Sequence, residues 1–292
     1  MGNFDGIHIG HKSLIEMARP NNINQKLGVL TFDPHPREFF APSHRTFKLM
    51  NKKAKVYALK RLSVDLMIEI PFTRSLSLLD AETFSRKILG EDLKLKHVVV
   101  GSDFRFGFKR LGDTEALVRY GKKYGFEVTI APIISYDKLE VSSTAIRQYL
   151  SKGDVKTAAK MLGHYYYVLD TVIKGDQRGR ELGFPTINLP VDNLHLPKFG
   201  VYSAMAEVLD GKHKGNYKAI VSLGERPTFG LNKANFEAHL LDFSGDVYGV
   251  DVIVELIEFQ RPELKFKNSN DLIKQMEKDC MLARQILVCN GK

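Results

Sequence analysis

The pattern of apolar and polar residues changes near residue 164 of this 292-residue chain. Before that point, short apolar runs alternate with segments whose apolar residues recur at helical spacing. We predict strands for the apolar runs, at residues 26–32, 66–70, 97–101 and 126–132. Strands that alternate with helices indicate a parallel sheet covered by helices on both faces. The first part of the chain is therefore predicted to be an α/β domain.

The segments around these strands carry helix signals. We predict helices at about residues 54–62, 80–89, 115–124 and 142–151. Asp80 suits the N-cap of the second helix, because its carboxylate can accept hydrogen bonds from first-turn amides. Ser142 or Ser143 can cap the fourth helix in the same way.

After residue 164, apolar strands follow one another without intervening helices. We predict them at residues 165–173, 201–209, 217–221, 236–241 and 252–259, with an amphipathic helix at 269–287. Strands in series that are separated by turns indicate an antiparallel barrel or sandwich. We place the domain boundary at Gly163-His164, which predicts domains of residues 1–163 and 164–292.

Composition and charge narrow the class of protein. The chain is 43% hydrophobic and 26% charged, which is typical of a globular protein, and no apolar run approaches the ~18 residues of a membrane span. With no apolar signal-peptide core at the N-terminus either, we expect a cytoplasmic protein without membrane partners. Cys280 and Cys289 form neither a CxxC motif nor a disulfide framework, so we expect reduced thiols.

The net charge of +9 suits anionic partners, and both nucleotides and nucleic acids qualify. The basic residues are scattered, however, and they do not alternate with aromatic residues as in RNA-binding motifs. We therefore expect no nucleic-acid partner, although a basic nucleic-acid-binding protein stays as a remote alternative.

The chain opens on GNFDGIHIGH, residues 2–11, which has the composition of a phosphate site. Glycines let the backbone approach an anion closely, and the start of a helix offers unpaired N–H groups. His8 and His11 lie three residues apart, so both imidazoles can face the same anion if this segment begins a helix. A glycine-rich turn before an ordinary helix is the alternative.

Two further polar segments follow predicted strands of the first domain. They are VGSDFRFG at residues 100–107 and VSSTAIR at residues 141–147. Ligands of open parallel sheets bind beyond the carboxyl ends of the strands, so the three segments can converge on one nucleotide. Arg147 follows Ser143 and Thr144 at helical spacing and can reach a phosphate.

In the second domain, GDQRGRELGFPTIN at residues 175–188 combines glycines, arginines and oxygen ligands. Thr186 and Asn188 fall on one face if the segment is extended, and their side-chain oxygens suit Mg²⁺. A long loop that leads into a strand is the alternative.

The first-domain motifs resemble the adenylyltransferase module of the prokaryotic bifunctional riboflavin kinase/FAD synthetases, relatives of the HxGH nucleotidylyltransferases. The resemblance implies a Rossmann-like α/β domain that transfers AMP from ATP to FMN, releasing FAD and pyrophosphate. It implies that phosphate stabilisation comes from His8, His11 and Arg147. It also implies that nucleotide and flavin contacts come from Gly2, Asn3, Asp103, Arg105, Ser143 and Thr144.

Residues 175–188 resemble the riboflavin kinase signature GxxxGRxLGxPTAN, and FEAHLLDF at residues 236–243 resembles a second kinase motif. The resemblance implies a riboflavin kinase β-barrel with a C-terminal helix, and it makes Glu237 the general base that takes the proton of the riboflavin 5′-hydroxyl. The implied ATP and Mg²⁺ contacts are Gly175, Arg178, Gly179, Arg180, Thr186 and Asn188, with Mg²⁺ on the last two. Riboflavin, FMN and ATP are the implied partners.

The chain departs from the family at three points. Only Met1 precedes Gly2, where the family has a central strand, so the chain is truncated, its sheet is rearranged or the adenylyltransferase is impaired. A kinase-only enzyme is therefore the second interpretation. Ile187 stands where a small Ala is usual, and we expect its bulk beside the metal-binding pair to alter nucleotide fit. Ser222 stands where Asn is common, and we expect the loss of a flavin-side hydrogen bond.

Overall fold

A computed structural model describes residues 1–22, 24–41, 47–175, 178–225 and 234–289. The chain divides into two compact units. The first contains Met1–His44 and Lys55–Ser142, and the second contains Arg45–Ala54 and Ser143–Lys292. The chain therefore contributes a short segment to the second unit, returns to the first, and then completes the second.

Four parallel strands form the centre of the first unit. They are β1 (Gly28–Asp33), β2 (Leu66–Pro71), β3 (His97–Gly101) and β4 (Glu127–Ala131), and they pair as β1 with β2 and β3 with β4. The opening residues lie between the two pairs. The amide of Gly2 donates to Leu30 O of β1 at 3.0 Å, and the amine of Met1 donates to Val99 O of β3 at 2.8 Å.

Helices precede and connect these strands, as the alternating pattern predicts. They are α1 (Ile9–Met17), α2 (Pro36–Phe40), α3 (Lys52–Arg61), α4 (Arg74–Ser77), α5 (Ala81–Thr83) and α6 (Thr114–Tyr124), with a π-helix at Phe84–Asp92 and a 3₁₀ turn at Phe108–Arg110. A short hairpin of β5 (Ser135–Tyr136) and β6 (Leu139–Glu140) follows β4. Buried apolar residues from strands, helices and loops form one core, which includes Leu30, Leu89, Val98, Val100, Leu117 and Phe126.

The predicted helix at 80–89 differs from the observed one in its hydrogen bonding. Asp80 is the N-cap, as expected, because its Oδ1 accepts from the amide of Thr83 at 2.8 Å. That bond, and a second from the Thr83 hydroxyl, lower the pKa of the Asp80 carboxyl. After Thr83, however, the α-helix continues as a π-helix to Asp92.

The second unit is a curled antiparallel sheet. After α7 (Ser143–Ser151) and α8 (Val155–Leu162) come β7 (Tyr166–Thr171), α9 (Arg178–Glu181), β8 (Ile187–Asn188), β9 (Gly200–Val208), β10 (Gly215–Glu225), β11 (Ala234–Leu240), β12 (Asp251–Arg261) and α10 (Ser269–Cys289). The strand order is β7-β12-β9-β10-β11-β8. Ile173, just after β7, bridges Asn188 of β8, so the two edges of the sheet meet.

Helix α10 packs on this sheet through a small apolar core made by Val201, Ile220, Leu241, Ile257, Ala283 and Leu287. The predicted architecture is confirmed: an α/β domain with parallel strand pairs, followed by a curled antiparallel sheet whose edges meet and a C-terminal helix. Helix α8 and the β5–β6 hairpin were not predicted. Among the described residues, the structure has no helix that is long and apolar enough to cross a membrane.

Candidate active sites

The opening loop of the first unit holds a strained, buried turn. Phe4 and Ile7 have φ angles of 49° and 42°, and Gly6 has a φ of 85°. Phe4 and Ile7 are 2% and 1% exposed, so packing holds bulky side chains in a backbone region that they rarely adopt. Such strain is frequent at functional sites, and here the strained turn leads directly into α1.

His8 and His11 stack at that helix start. Their ring centroids are 3.6 Å apart with an interplanar angle of 19°. The amide of His11 donates to His8 Nδ1 at 3.3 Å, so His8 caps the helix and a neutral His8 ring carries its proton on Nε2. A Cβ on Gly10 would lie 3.1 Å from His8 Nδ1, so glycine at position 10 makes room for the ring.

His11 is buried and electrostatically disfavoured as a cation. Burial, followed by the neighbouring His8 ring, lowers the pKa of His11 well below its ordinary value. The imidazole is therefore neutral at neutral pH and can serve as a hydrogen-bond donor. Its Nδ1 is buried without a hydrogen-bond partner among the described residues, which leaves a polar atom unsatisfied beside His8.

Hydrogen bonds fix the backbone of the opening loop at Asn3. The carbonyl of Asn3 accepts from Thr31 Oγ1 at 3.1 Å and from Lys55 Nζ at 3.0 Å. The Asn3 side chain is exposed, and so are those of Asp103 and Arg105, which follow β3. Arg105 lies 3.6 Å from Asp113, whose carboxylate caps α6. The predicted nucleotide residues of this unit therefore follow β3 or surround the start of α1.

Ser143, Thr144 and Arg147 belong to the second unit, where Ser143 begins α7. Arg147 has a firm internal contact, because its Nε donates to Phe47 O at 2.6 Å and its guanidinium lies 5.1 Å from the Phe47 ring centroid. Phe47 comes from the segment that the first part of the chain contributes to this unit. Sequence analysis did not predict Phe47 as a partner of Arg147.

His195 supports the same helix but is no catalytic base toward Ser151. Its Nε2 lies 3.0 Å from Arg147 O and 3.1 Å from Ser151 Oγ. A carbonyl oxygen only accepts, so this nitrogen carries the proton and cannot take one from the serine. The contact therefore holds α7 in place and gives no Ser–His nucleophile.

In the barrel, three predicted kinase positions form a row across neighbouring strands. Glu237 of β11 pairs with Asn188 of β8 on one side and with Ser222 of β10 on the other. Directly opposed residues of antiparallel strands project to the same face. The predicted base and one predicted metal ligand therefore share a face.

Glycines shape the loop that leads into β8. A Cβ on Gly175 would lie 2.4 Å from the Asn188 side-chain nitrogen, and a Cβ on Gly179 would lie 2.4 Å from Phe184 O. Gly179 therefore requires glycine because the loop backbone approaches it closely, and at Gly175 the Asn188 side chain of β8 occupies the space of a Cβ. Thr186 is half-buried and Arg180 is exposed. The side chain of Arg178 lies outside the described part of the structure, as do residues 226–233 between β10 and β11.

His239 fixes the same loop. Its Nδ1 donates to Pro185 O at 2.7 Å, and its ring lies edge-on to Phe184, with centroids 5.5 Å apart. Because the carbonyl oxygen of Pro185 can only accept a hydrogen bond, Nδ1 of His239 carries a proton. The side chain two residues after Glu237 therefore holds the segment that carries Thr186.

The structure places Ile187 away from the metal-binding pair beside which its bulk was expected to act. Ile187 pairs with Ala238, which lies on the buried face of β11, and is itself 8% exposed. Adjacent strand residues point to opposite faces, so Ile187 points into the barrel core and away from Asn188. Ser222, in contrast, is exposed and directly opposite Glu237, on the face where its predicted role requires it.

No group of three or more His, Cys, Asp or Glu side chains in the described part of the chain is arranged to hold a metal ion. A resident metal site of that type is therefore not found there. Thr and Asn oxygens lie outside that class, and they suit a Mg²⁺ ion that arrives with nucleotide phosphates.

Two protein-family models match the chain in this order: FAD synthetase at residues 1–145 and riboflavin kinase at residues 162–287. Proteins named bifunctional riboflavin kinase/FMN adenylyltransferase align over almost the whole chain. The protein from Haemophilus influenzae is 35% identical and covers 97% of this chain and 92% of its own length. The protein from Listeria monocytogenes is 36% identical, with coverages of 96% and 88%.

The chain belongs to the bifunctional riboflavin kinase/FMN adenylyltransferase family. Both enzyme domains of this family are present, which favours the bifunctional interpretation over the kinase-only and nucleic-acid-binding alternatives. A crystal structure from Streptococcus pneumoniae that bears the name macrolide-efflux protein has the same architecture. It superposes with a TM-score of 0.84 at 31% identity, over 97% of this chain and 92% of that one.

The sequence analysis did not predict two residues that contact the proposed site residues of this protein. Phe47 holds Arg147, and Asn235 donates to the Glu237 carboxylate at 2.6 Å. Asn235 lies one residue before the strand predicted at 236–241, so the second contact could have been found only by extending that strand, in which Asn235 and Glu237 share a face. Phe47 carried no local signal, since it lies 100 residues away from Arg147 along the chain.

Proposed function

We propose that this chain makes FMN and FAD with the residues predicted from its sequence. The barrel phosphorylates riboflavin with ATP, and the FAD synthetase segment transfers AMP from a second ATP to FMN. The observation that carries the kinase assignment is the placement of Glu237 directly beside Asn188 on one face of the barrel.

In the kinase reaction, Glu237 accepts the proton of the riboflavin 5′-hydroxyl while that oxygen bonds to the γ-phosphorus of ATP, and ADP leaves. Thr186 and Asn188 would hold a Mg²⁺ ion, whose chemistry is to neutralise phosphate charge. Their fit is supported by the close approach of Gly175 to the Asn188 carboxamide. Gly175, Gly179, Arg178 and Arg180 bind the nucleotide in this proposal.

In the adenylyltransferase reaction, a phosphate oxygen of FMN bonds to the α-phosphorus of ATP, and pyrophosphate leaves. This step requires positioning and charge stabilisation and no protein nucleophile. His8 and His11 donate hydrogen bonds, that of His11 from a neutral ring, and Arg147 supplies positive charge. The remaining proposed contacts to nucleotide or flavin are Gly2, Asn3, Asp103, Arg105, Ser143 and Thr144.

A flavin assay tests both activities. Purified protein is incubated with riboflavin and Mg-ATP, and the flavins are separated by chromatography. We expect FMN and FAD together; FMN alone would support the kinase-only alternative. Salt-sensitive oligonucleotide binding without flavin turnover would support the nucleic-acid alternative, because counterion release makes such binding fall with salt. Omission of Mg²⁺ should abolish both products.

Two substitutions then assign the sites. Glu237→Ala should stop FMN formation but leave FAD formation from supplied FMN. His11→Ala should do the reverse. Each variant thus serves as the folding control of the other, and a variant that keeps its own reaction at the wild-type rate would show that its residue is wrongly assigned. A cytoplasmic location and the absence of nucleic-acid partners remain predictions from the sequence.

A further inference from the structure

The carboxylate of Glu237 has a neutral donor on its own strand. Asn235 Nδ2 donates to Glu237 Oε1 at 2.6 Å, and both side chains are half-buried. Residues two apart in a strand project to the same face, so the contact lies on the face that also carries Asn188. Neither the sequence motifs nor the family resemblance gives Asn235 a role.

The neighbours of Glu237 on this face include His239 and Ser222. His239 donates to the carbonyl of Pro185, and Ser222 lies opposite Glu237 on β10 with an exposed side chain. Gly224 lies opposite Asn235, and a Cβ there would be 2.0 Å from Glu263 Oε1. A second carboxylate therefore covers the neighbouring backbone on the same face.

A carboxylate on a strand has several rotamers, and a general base must present one oxygen to its substrate in a fixed direction. The bond from Asn235 engages Oε1 and thereby directs Oε2. A carboxamide does this without the positive charge of Lys or Arg, which would stabilise the carboxylate and weaken it as a base.

We propose that Asn235 is a positioning residue for the kinase reaction. It anchors Glu237 Oε1 so that Oε2 faces the riboflavin 5′-hydroxyl. This inference rests on the proposed function of Glu237 as the base. It assigns to Asn235 a contribution to turnover and none to the binding of riboflavin or ATP.

Three variants of the full chain test the inference. Asn235→Ala removes the donor, Asn235→Asp keeps the shape without the amide donor, and Asn235→Gln keeps the amide donor on a longer side chain. We expect the first two to lower kcat for FMN formation about tenfold, because hydrogen bonds to charged groups are among the stronger ones. The KM values for riboflavin and Mg-ATP should stay within about twofold, and Gln should restore most of kcat.

Asn216→Ala is the matched control, because Asn216 is an exposed asparagine on β10 of the same barrel. FAD formation from supplied FMN, measured on every preparation, reports whether each chain is folded. Wild-type kcat in the Ala and Asp variants would overturn the inference. So would a raised KM at unchanged kcat, or a Gln variant as slow as the Ala variant.

Glu237→Gln separates this inference from the function on which it rests. If that variant still forms FMN at the wild-type rate, the base assignment fails and the inference fails with it. If Glu237→Gln stops FMN formation while Asn235→Ala has no effect, only the positioning role is refuted.

Discussion

At the scale of single residues, the two residues of β8 have different roles: one lies beside the proposed catalytic base and the other packs in the barrel core. Asn188 and Ile187 are neighbours in β8, yet one faces Glu237 and the other faces Ala238. The sequence motif could place both residues in the kinase loop. It could not show which face each occupies, because the strand is too short to display an alternating pattern. The cross-strand register supplies that information.

Ile187→Ala should therefore affect stability more than catalysis. Removing a side chain that is 8% exposed leaves a cavity, and such changes cost about 2–4 kcal/mol of unfolding free energy. The expected result is a lower denaturation midpoint in urea, with KM for ATP unchanged at temperatures where the variant is folded. Val288→Ala, at a position 67% exposed, is the control and should change stability little. A changed KM for ATP at full stability would restore the original view that Ile187 contacts the nucleotide site.

At the scale of elements, an ion pair joins the last strand to the last helix. Arg261 Nε and Nη2 of β12 donate to the Asp279 carboxylate of α10 at 3.0 and 2.6 Å, and the two side chains are 17% and 6% exposed. Gln275 adds a bond to the same carboxylate at 2.9 Å. The pair therefore fixes α10 against the barrel next to its apolar core.

Arg261→Met should destabilise the second unit by about 3 kcal/mol, because it leaves the Asp279 carboxylate buried without its cation. The double variant Arg261→Met/Asp279→Leu should regain part of this loss, since no buried charge then remains. Thermal unfolding followed by circular dichroism measures both. Arg284→Met, which breaks the exposed pair with Asp242, is the control and should have little effect. Equal melting temperatures of Arg261→Met and wild type would contradict this account of the helix contact.

The elements themselves could largely be predicted from the sequence. The apolar run at 97–101 is β3 to the residue, and the helix predicted at 115–124 is α6 with one more residue. The π-helical hydrogen bonding after Asp80 could not be read, because α- and π-helical segments show similar apolar spacing over so short a length. Helix α8 was overlooked although Asp154 caps it and Gly163 ends it in a left-handed conformation. Of the kinase site, the motif predicted residue identities, while the facing of Asn188, Glu237 and Asn235 required the strand register.

At the scale of the whole molecule, the order of the chain differs from the division into compact units. Arg45–Ala54 is flanked by residues of the first unit but belongs to the second. Asn51 Nδ2 donates to Leu169 O at 2.9 Å, and Lys53 Nζ lies 2.8 Å from Asp251 Oδ1 and 2.7 Å from Thr171 Oγ1. A domain boundary at 163/164 would place Asn51 and Lys53 in a different domain from their partners in β7 and β12. The placement of residues 45–54 depends on partners more than 100 positions away, which no local pattern reveals.

The Lys53 contacts give the stability of the second unit a pH dependence of known sign. The hydrogen bond from Lys53, followed by that from Thr171, lowers the pKa of the Asp251 carboxyl below its ordinary value of 3.8. A carboxyl whose pKa is lower in the folded state stabilises that state above its unfolded pKa, and this contribution is lost as pH falls through the folded value.

Lys53→Met should therefore lower the melting temperature by a few degrees at pH 7, since half-exposed pairs contribute at most about 1 kcal/mol. The difference from wild type should shrink as the pH falls below about 3.8 and Asp251 becomes protonated. Lys60→Met, at an exposed position of the same helix, is the control and should show no such pH-dependent difference. A Lys53→Met effect that is the same at pH 7 and at pH 3 would show that Lys53 stabilises the unit through packing of its alkyl chain and not through the charge of Asp251.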